Sequence, residues 1–300
     1  MNVIVCNELT KIFGSTRAVN NLSFTLAPEG ITGLIGRNGA GKTTLLKIIA
    51  GYLLPSTGSI QVFAENPFNS VKVSANMIFI DDNMAMPELM YLTEILESAS
   101  SFYANWDHKL AMGLFEYFNL QPKQYHSKLS KGMRSTFNMI VGLAARCPLT
   151  IFDEPTTGMD VAVRKDFYRA LLKDFMQHPR SIILSSHLLN ELNDILSDIL
   201  LIKDGAKYLH LPVDELSEYA VGLQGQEDII AEMTRNTEVF YRKKLGKDSL
   251  YVAVRNQYTK EELQKARLKG IEVSSVPTDD LCVYLTAKHE GGIDDVFDRN

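Results

Sequence analysis

The sequence predicts an α/β protein built on a parallel sheet, with a helical insert and a smaller α+β unit at the C-terminal end. Three observations predict it. An apolar strand at residues 31–35 runs directly into a glycine-rich loop and a helix beginning near Lys42. Two further short apolar strands, 149–152 and 182–185, follow a long helical stretch with few β-branched runs. After Leu211 the texture changes to Asp/Glu-rich helix interspersed with strands.

Taken in order, residues 3–5 and 22–26 read as short strands joined by a turn at Gly14. Behind the glycine-rich loop, Leu45, Leu46, Ile48 and Ile49 give the helix one apolar face, Gly51 caps it and Pro55 prevents its continuation. Helical periodicity at 94–99, 109–118 and 133–145 defines an insert of about 87–145. Strands at 250–254 and 271–276 flank a helix at 260–268. The boundary is expected at 211–214, where Pro212 breaks regular structure, which gives units of 1–211 and 212–300.

Composition excludes several classes. With 300 residues, 45% apolar and 22% charged, the chain is long enough for a real core without disulfide or metal staples. Arg146 and Asp198 interrupt the two best apolar stretches, so no membrane-spanning segment is expected. The opening MNVIVC is neither basic nor apolar over a secretory length, and no leader is expected. Cys6, Cys147 and Cys282 form no CxxC and read as small buried hydrophobes in a reducing compartment. Residues 1–211 carry 19 basic and 19 acidic side chains, so the whole net charge of −5 arises in residues 212–300. No basic balance marks nucleic acid as a partner. The run Arg242, Lys243, Lys244 and Lys247 reads as a solvated face.

The loop GRNGAGKT, residues 36–43, fits GxxxxGK[ST] and lies where that pattern works, between a buried strand and the first turn of a helix. Glycines at 36, 39 and 41 let successive backbone N–H groups converge on an anion, with Asn38 and Ala40 between them and Thr44 just beyond. Lys42 is a point charge for β- and γ-phosphates, and the Thr43 hydroxyl is a hard-oxygen ligand suited to Mg²⁺.

The strand at 149–152 delivers Asp153 and Glu154 at its C-terminal edge, where open α/β sheets bind ligands. Adjacent strand residues point in different directions, so the two carboxylates take separate roles. Asp153 suits Mg²⁺, and Glu154 suits an attacking water as base or orienting acceptor. LSKGM, residues 129–133, opens an apolar helix, with Ser130 as its cap and Gly132 admitting a ligand to the backbone.

These segments, together with Asp153-Glu154-Pro155, residues 157–160 (TGMD) and Ser186-His187, occur in the order and spacing of ATP-binding subunits of ABC transporters. The resemblance covers residues 1 to about 211. It implies a P-loop ATPase with a RecA-like core, an antiparallel β subdomain and a helical subdomain. It also implies a dimer with ATP shared between the phosphate loop of one copy and Ser130 and Gly132 of the other, and a separate membrane permease on whose cytoplasmic side the chain sits. By the same resemblance Phe13 stacks on adenine, His187 contacts the γ-phosphate and Asp160 links the two sites. The family pattern has Gly where Lys131 stands, Gln where Met133 stands, and a metal-contacting Gln where Asp82 is the nearest match, with Asp81 or Asn83 as alternatives. FYANWD and LSKGM resemble exporter ATPases of the bacitracin-resistance and phenol-soluble-modulin type, which implies an amphipathic or antimicrobial peptide as cargo. The aromatics Tyr91, Phe102, Tyr103 and Trp106 read equally as a permease-docking groove or as core. Competing readings are a nucleotide-sensing subunit without efficient turnover, favoured by the departures at Lys131, Asp82 and Met133, and a soluble ATPase acting on translation or DNA. The single phosphate loop and the lack of a long coiled-coil insert disfavour the latter.

Overall fold

The computed structural model describes residues 2–187, 189, 191–246 and 248–287. It divides into two compact units at His210/Leu211. Among the described residues no helix is long and apolar enough to cross a membrane.

The first unit is organised around a six-stranded sheet. Its strand order is Met77–Ile80, Leu149–Asp153, Ser181–Ser186, Ile31–Ile35, Asp198–Lys203 and Ala206–Pro212. The first four pair in parallel, as do Ile31–Ile35 and Asp198–Lys203. The central strands are buried along their length and read as unbroken apolar runs, as a sheet covered on both faces requires. The last two strands are joined by Asp204-Gly205, both at positive φ, the backbone of a two-residue hairpin turn.

A three-stranded antiparallel sheet, in the order Thr16–Leu26, Ile4–Phe13, Thr57–Val62, packs beside it and shares a core with the helix Lys42–Ile49. The expectation of short strands at 3–5 and 22–26 is corrected here: they are parts of one long hairpin. The register slips between Cys6 and Leu9 and again between Leu9 and Lys11, with Glu8 and Asn21 at positive φ. These bulges break the two-residue alternation that reveals a strand in sequence. This hairpin grips the glycine-rich loop, because Asn20 N–H donates to Gly205 O at 2.8 Å and Gly205 N–H donates to Ala40 O at 3.1 Å.

The insert folds as helices Leu92–Phe102, His108–Tyr117 and Lys131–Ala144. Its aromatics divide. Tyr91 stacks on Tyr125 and Tyr103 on Trp106, whereas Phe102 is exposed. Arg146 ties the insert to the long helix Val161–Gln177, with Nη1 2.8 Å from Asp107 Oδ2 and Nη2 2.7 Å from Asp174 Oδ1. Asp174 is also paired with buried Arg180 at 2.8 Å. Cys6, Cys147 and Cys282 are all buried free thiols, and burial pushes each up to about 12.

The second unit runs strand, helix, strand, strand, helix, strand: Ala220–Gln226, Glu227–Met233, Val239–Lys244, Ser249–Arg255, Lys260–Leu268 and Glu272–Ser275. Its antiparallel sheet places the first strand beside the last and the third, and the second at the far edge, the ferredoxin-like arrangement. Val221, Leu223, Leu250, Val252 and Val254 meet Ile230 and Ala266 of the two helices. A further helix, Thr278–Thr286, stacks Tyr284 on Tyr241 at 4.2 Å. Arg242, Lys243 and Lys244 are exposed, and Lys244 pairs with Glu227 at 3.3 Å; Lys247 lies outside the described residues.

Candidate active site

Parallel register assembles the site. Ile35 lies opposite Ser186, and Asp153 opposite Ser185, so three neighbouring strands end at one level. Gly36, Glu154 and His187 are the next residues of those chains and emerge side by side.

The loop at 36–43 leaves the sheet through Gly36, where a Cβ would lie 2.6 Å from Ile202 O. Asn38 and Gly39 are exposed at its rim, and Ala40 is buried. Gly41 caps the helix at φ 100° and would collide with Ala18 O if it bore a side chain, so glycine is required there on two counts. No side chain caps this helix, which leaves the N–H groups of its first turn to an anion. Lys42 is 5% exposed, and its Nζ donates to Gly36 O at 2.7 Å and lies 3.0 Å from Glu154 Oε1. Thr43 is exposed and Thr44 half-buried on the same turn.

Asp153 and Glu154 diverge as alternation requires. Asp153 is buried, and its Oδ1 accepts from Ser185 Oγ at 2.6 Å. Glu154 sits at φ 48°, a strained conformation for a residue with a side chain. The same Ser185 hydroxyl accepts from Glu154 N–H at 2.8 Å, and Glu154 O accepts from Thr157 Oγ1 at 2.9 Å. Glu154 Oε2 lies 2.8 Å from His187 Nδ1. Ser185 is the residue that sequence reading overlooked. Its signal was a hydroxyl ending the apolar run Ile182, Ile183, Leu184 immediately before Ser186-His187.

The other expected residues lie apart from this cluster or in local roles. Ser130 caps Lys131–Ala144, accepting from Met133 N–H at 3.3 Å. A Cβ on Gly132 would stand 2.5 Å from Gly158 O, so the helix start lies on the turn that follows Glu154. Asp160 caps Val161–Gln177, accepting from Val163 N–H at 2.9 Å. Phe13 is 47% exposed at the end of its strand, with Lys11 Nζ 5.1 Å from its ring centroid. Asp82 is held by Lys131 at 3.0 Å and lies 3.5 Å from Ser135 Oγ. Its neighbour Asp81 feels the charge of Asp153. Burial raises the Asp81 carboxyl above the usual range, opposed by the N–H of Asn83 and by Lys47, and the charges of Asp153 and Asp82 add to the rise.

A polyphosphate fits the converging N–H groups and Lys42. A hard divalent ion fits the oxygens of Thr43 and Asp153, with phosphate oxygens and water completing its shell. The fold and site define a P-loop nucleotide-binding protein. Residues 19–157 match the family model described as ABC transporter. The bacitracin transport ATP-binding protein BcrA of Bacillus licheniformis is 29% identical over 220 residues, covering 72% of each chain. A solved ATP-binding subunit of an ABC transporter superposes with a TM-score of 0.64 at 21% identity, over 71% of this chain and 91% of its own. The cassette MJ0796, solved as a dimer with ADP and Pi, superposes with a TM-score of 0.60 at 19% identity, over 70% of this chain and 98% of its own. Over residues 19–157 the chain is similar to the ATP-binding domain of ABC transporters, and it shares the fold of their solved cassettes.

Proposed function

We propose that this chain is the motor of an ABC exporter, driving a separate membrane permease from the cytoplasmic face and moving amphipathic or antimicrobial peptides. One observation carries the motor reading: Lys42, Glu154 and His187 converge within 3.0 Å contacts at the sheet edge where the glycine-rich loop opens. The cargo reading is supported by similarity to a bacitracin transport protein.

Two copies clamp two ATP molecules, each held by residues 36–44 of one copy and by Ser130 and Gly132 of the other. Phe13 offers its exposed face to adenine. Lys42 and the first-turn N–H groups bind the β- and γ-phosphates. Thr43 and Asp153 would hold Mg²⁺, which would neutralise phosphate charge when bound; Asp82 is the remaining candidate ligand. Glu154 orients the attacking water and accepts its proton, and His187 positions that carboxylate and meets the γ-phosphate. Asp160 links the two sites across the dimer. In residues 212–300 the acidic excess favours assembly or attracts cationic cargo.

Co-expression with the product of a neighbouring reading frame, if that frame encodes a membrane permease, tests this function. Cells should survive a cationic amphipathic peptide with the parent chain and lose that protection with Glu154→Gln. Equal survival with both chains would refute the export reading.

A further inference from the structure

Asp82 and Lys131 depart from the family pattern together, and the structure brings the two departures into contact. Lys131 Nζ lies 3.0 Å from Asp82 Oδ2. The contact belongs to a continuous path. Ser135, one turn further along the helix, sits 3.5 Å from Asp82 Oδ1 and donates its hydroxyl to Thr157 O at 3.1 Å. Thr157 in turn donates through Oγ1 at 2.9 Å and through its N–H at 3.2 Å to Glu154 O. The stem of Lys131 lies across Gly158, with Cγ 3.2 Å from where a Cβ on that glycine would stand. Three segments therefore meet here: the ion pair joins the turn at 81–83 to the start of the helix Lys131–Ala144, and Ser135 and the Lys131 stem join that helix start to the turn that follows Glu154.

Both partners are partly exposed, Lys131 at 59% and Asp82 at 37%. Ion pairs of that exposure contribute little to folding. Their value lies in where they hold a chain segment.

We propose that Asp82 and Lys131 are a positioning couple for ATP hydrolysis, whose ion pair holds the 156–158 turn and through it sets the carboxylate of Glu154. The inference rests on the hydrolytic role given to Glu154 above. A local charge pair stands where the family pattern has Gly and Gln, and loss of either charge lets the turn shift. Nucleotide binding at residues 36–43 does not depend on it.

A charge-reversal cycle tests this with the full-length protein, using Asp82→Lys, Lys131→Glu, the double variant and the conservative Lys131→Arg. Each single reversal should lower kcat for ATP about five- to tenfold, with KM changed less than twofold and the unfolding midpoint unmoved. The double reversal should return kcat to within twofold of the parent, and Lys131→Arg should match the parent. Losses that multiply in the double variant would overturn the couple. A raised Mg²⁺ requirement in Asp82→Lys alone, with Lys131→Glu silent, would overturn it in favour of Asp82 as a metal ligand. Phosphate release by the parent that is indifferent to Glu154→Gln would remove the couple and the hydrolytic reading together, whereas a Glu154-dependent parent with multiplicative losses removes the couple alone.

Discussion

Lys42 and His187 hold opposite oxygens of one carboxylate: Lys42 Nζ is 3.0 Å from Glu154 Oε1, and His187 Nδ1 is 2.8 Å from Glu154 Oε2. A cation on one side and an imidazole on the other fix the rotamer of a group whose backbone is already held by Ser185 and Thr157. Glu154→Gln keeps the shape and removes the proton acceptor. Phosphate release should fall at least about a hundredfold, while nucleotide affinity, measured by fluorescent ATP titration, changes only severalfold.

The Asp174 carboxylate serves two arginines. Arg146 and Arg180 both reach it, and Arg180 is itself buried. Removing it strands a buried guanidinium, a change that costs about 3–5 kcal/mol in comparable pairs. Asp174→Ala should lower the free energy of unfolding by that amount, seen as a lower urea midpoint with an unchanged m-value, which denaturant titration followed by circular dichroism would read directly.

His126 makes stability depend on pH. Burial lowers its pKa below the usual 6.5; the hydrogen bond to Asn138 opposes this, and Arg134 adds to it. Its Nε2 lies 2.7 Å from Asn138 Oδ1. The unfolded chain therefore takes up its proton at a higher pH, near the usual 6.5, than the folded chain does. The contribution is complete above that pH and lost below it, with a slope of at most about 1.4 kcal/mol per pH unit. His126→Gln should flatten the fall in stability between pH 7 and pH 5, measured by urea unfolding at each pH.

Much of the site was legible because its chemistry is local. The run from Ile31 through Thr43 contains its own strand, turn glycines, cation and helix start, so spacing alone locates it. Asp153 and Glu154 were legible for the same reason, as carboxylates ending an apolar strand. What sequence could not supply was the partner across the sheet. Ser185 bridges Asp153 and Glu154 only because parallel pairing puts it opposite Asp153, 32 residues away. The ion pair of Asp82 with Lys131 is likewise made by residues 49 positions apart. Two strands of the second unit were hidden for another reason. Ala220–Gln226 carries glycines at 222 and 225, and Val239–Lys244 ends in three charges at a sheet edge, so neither shows the expected apolar alternation.

The proposed cycle requires ATP to be closed between two copies of the chain. Light scattering of purified Glu154→Gln, with and without Mg-ATP, tests that most directly. The protein should be a monomer near the chain mass of 33.6 kDa without nucleotide, and an ATP-dependent dimer retaining two nucleotides with it. A mass that stays monomeric at saturating Mg-ATP, with nucleotide bound to each chain separately, would contradict it.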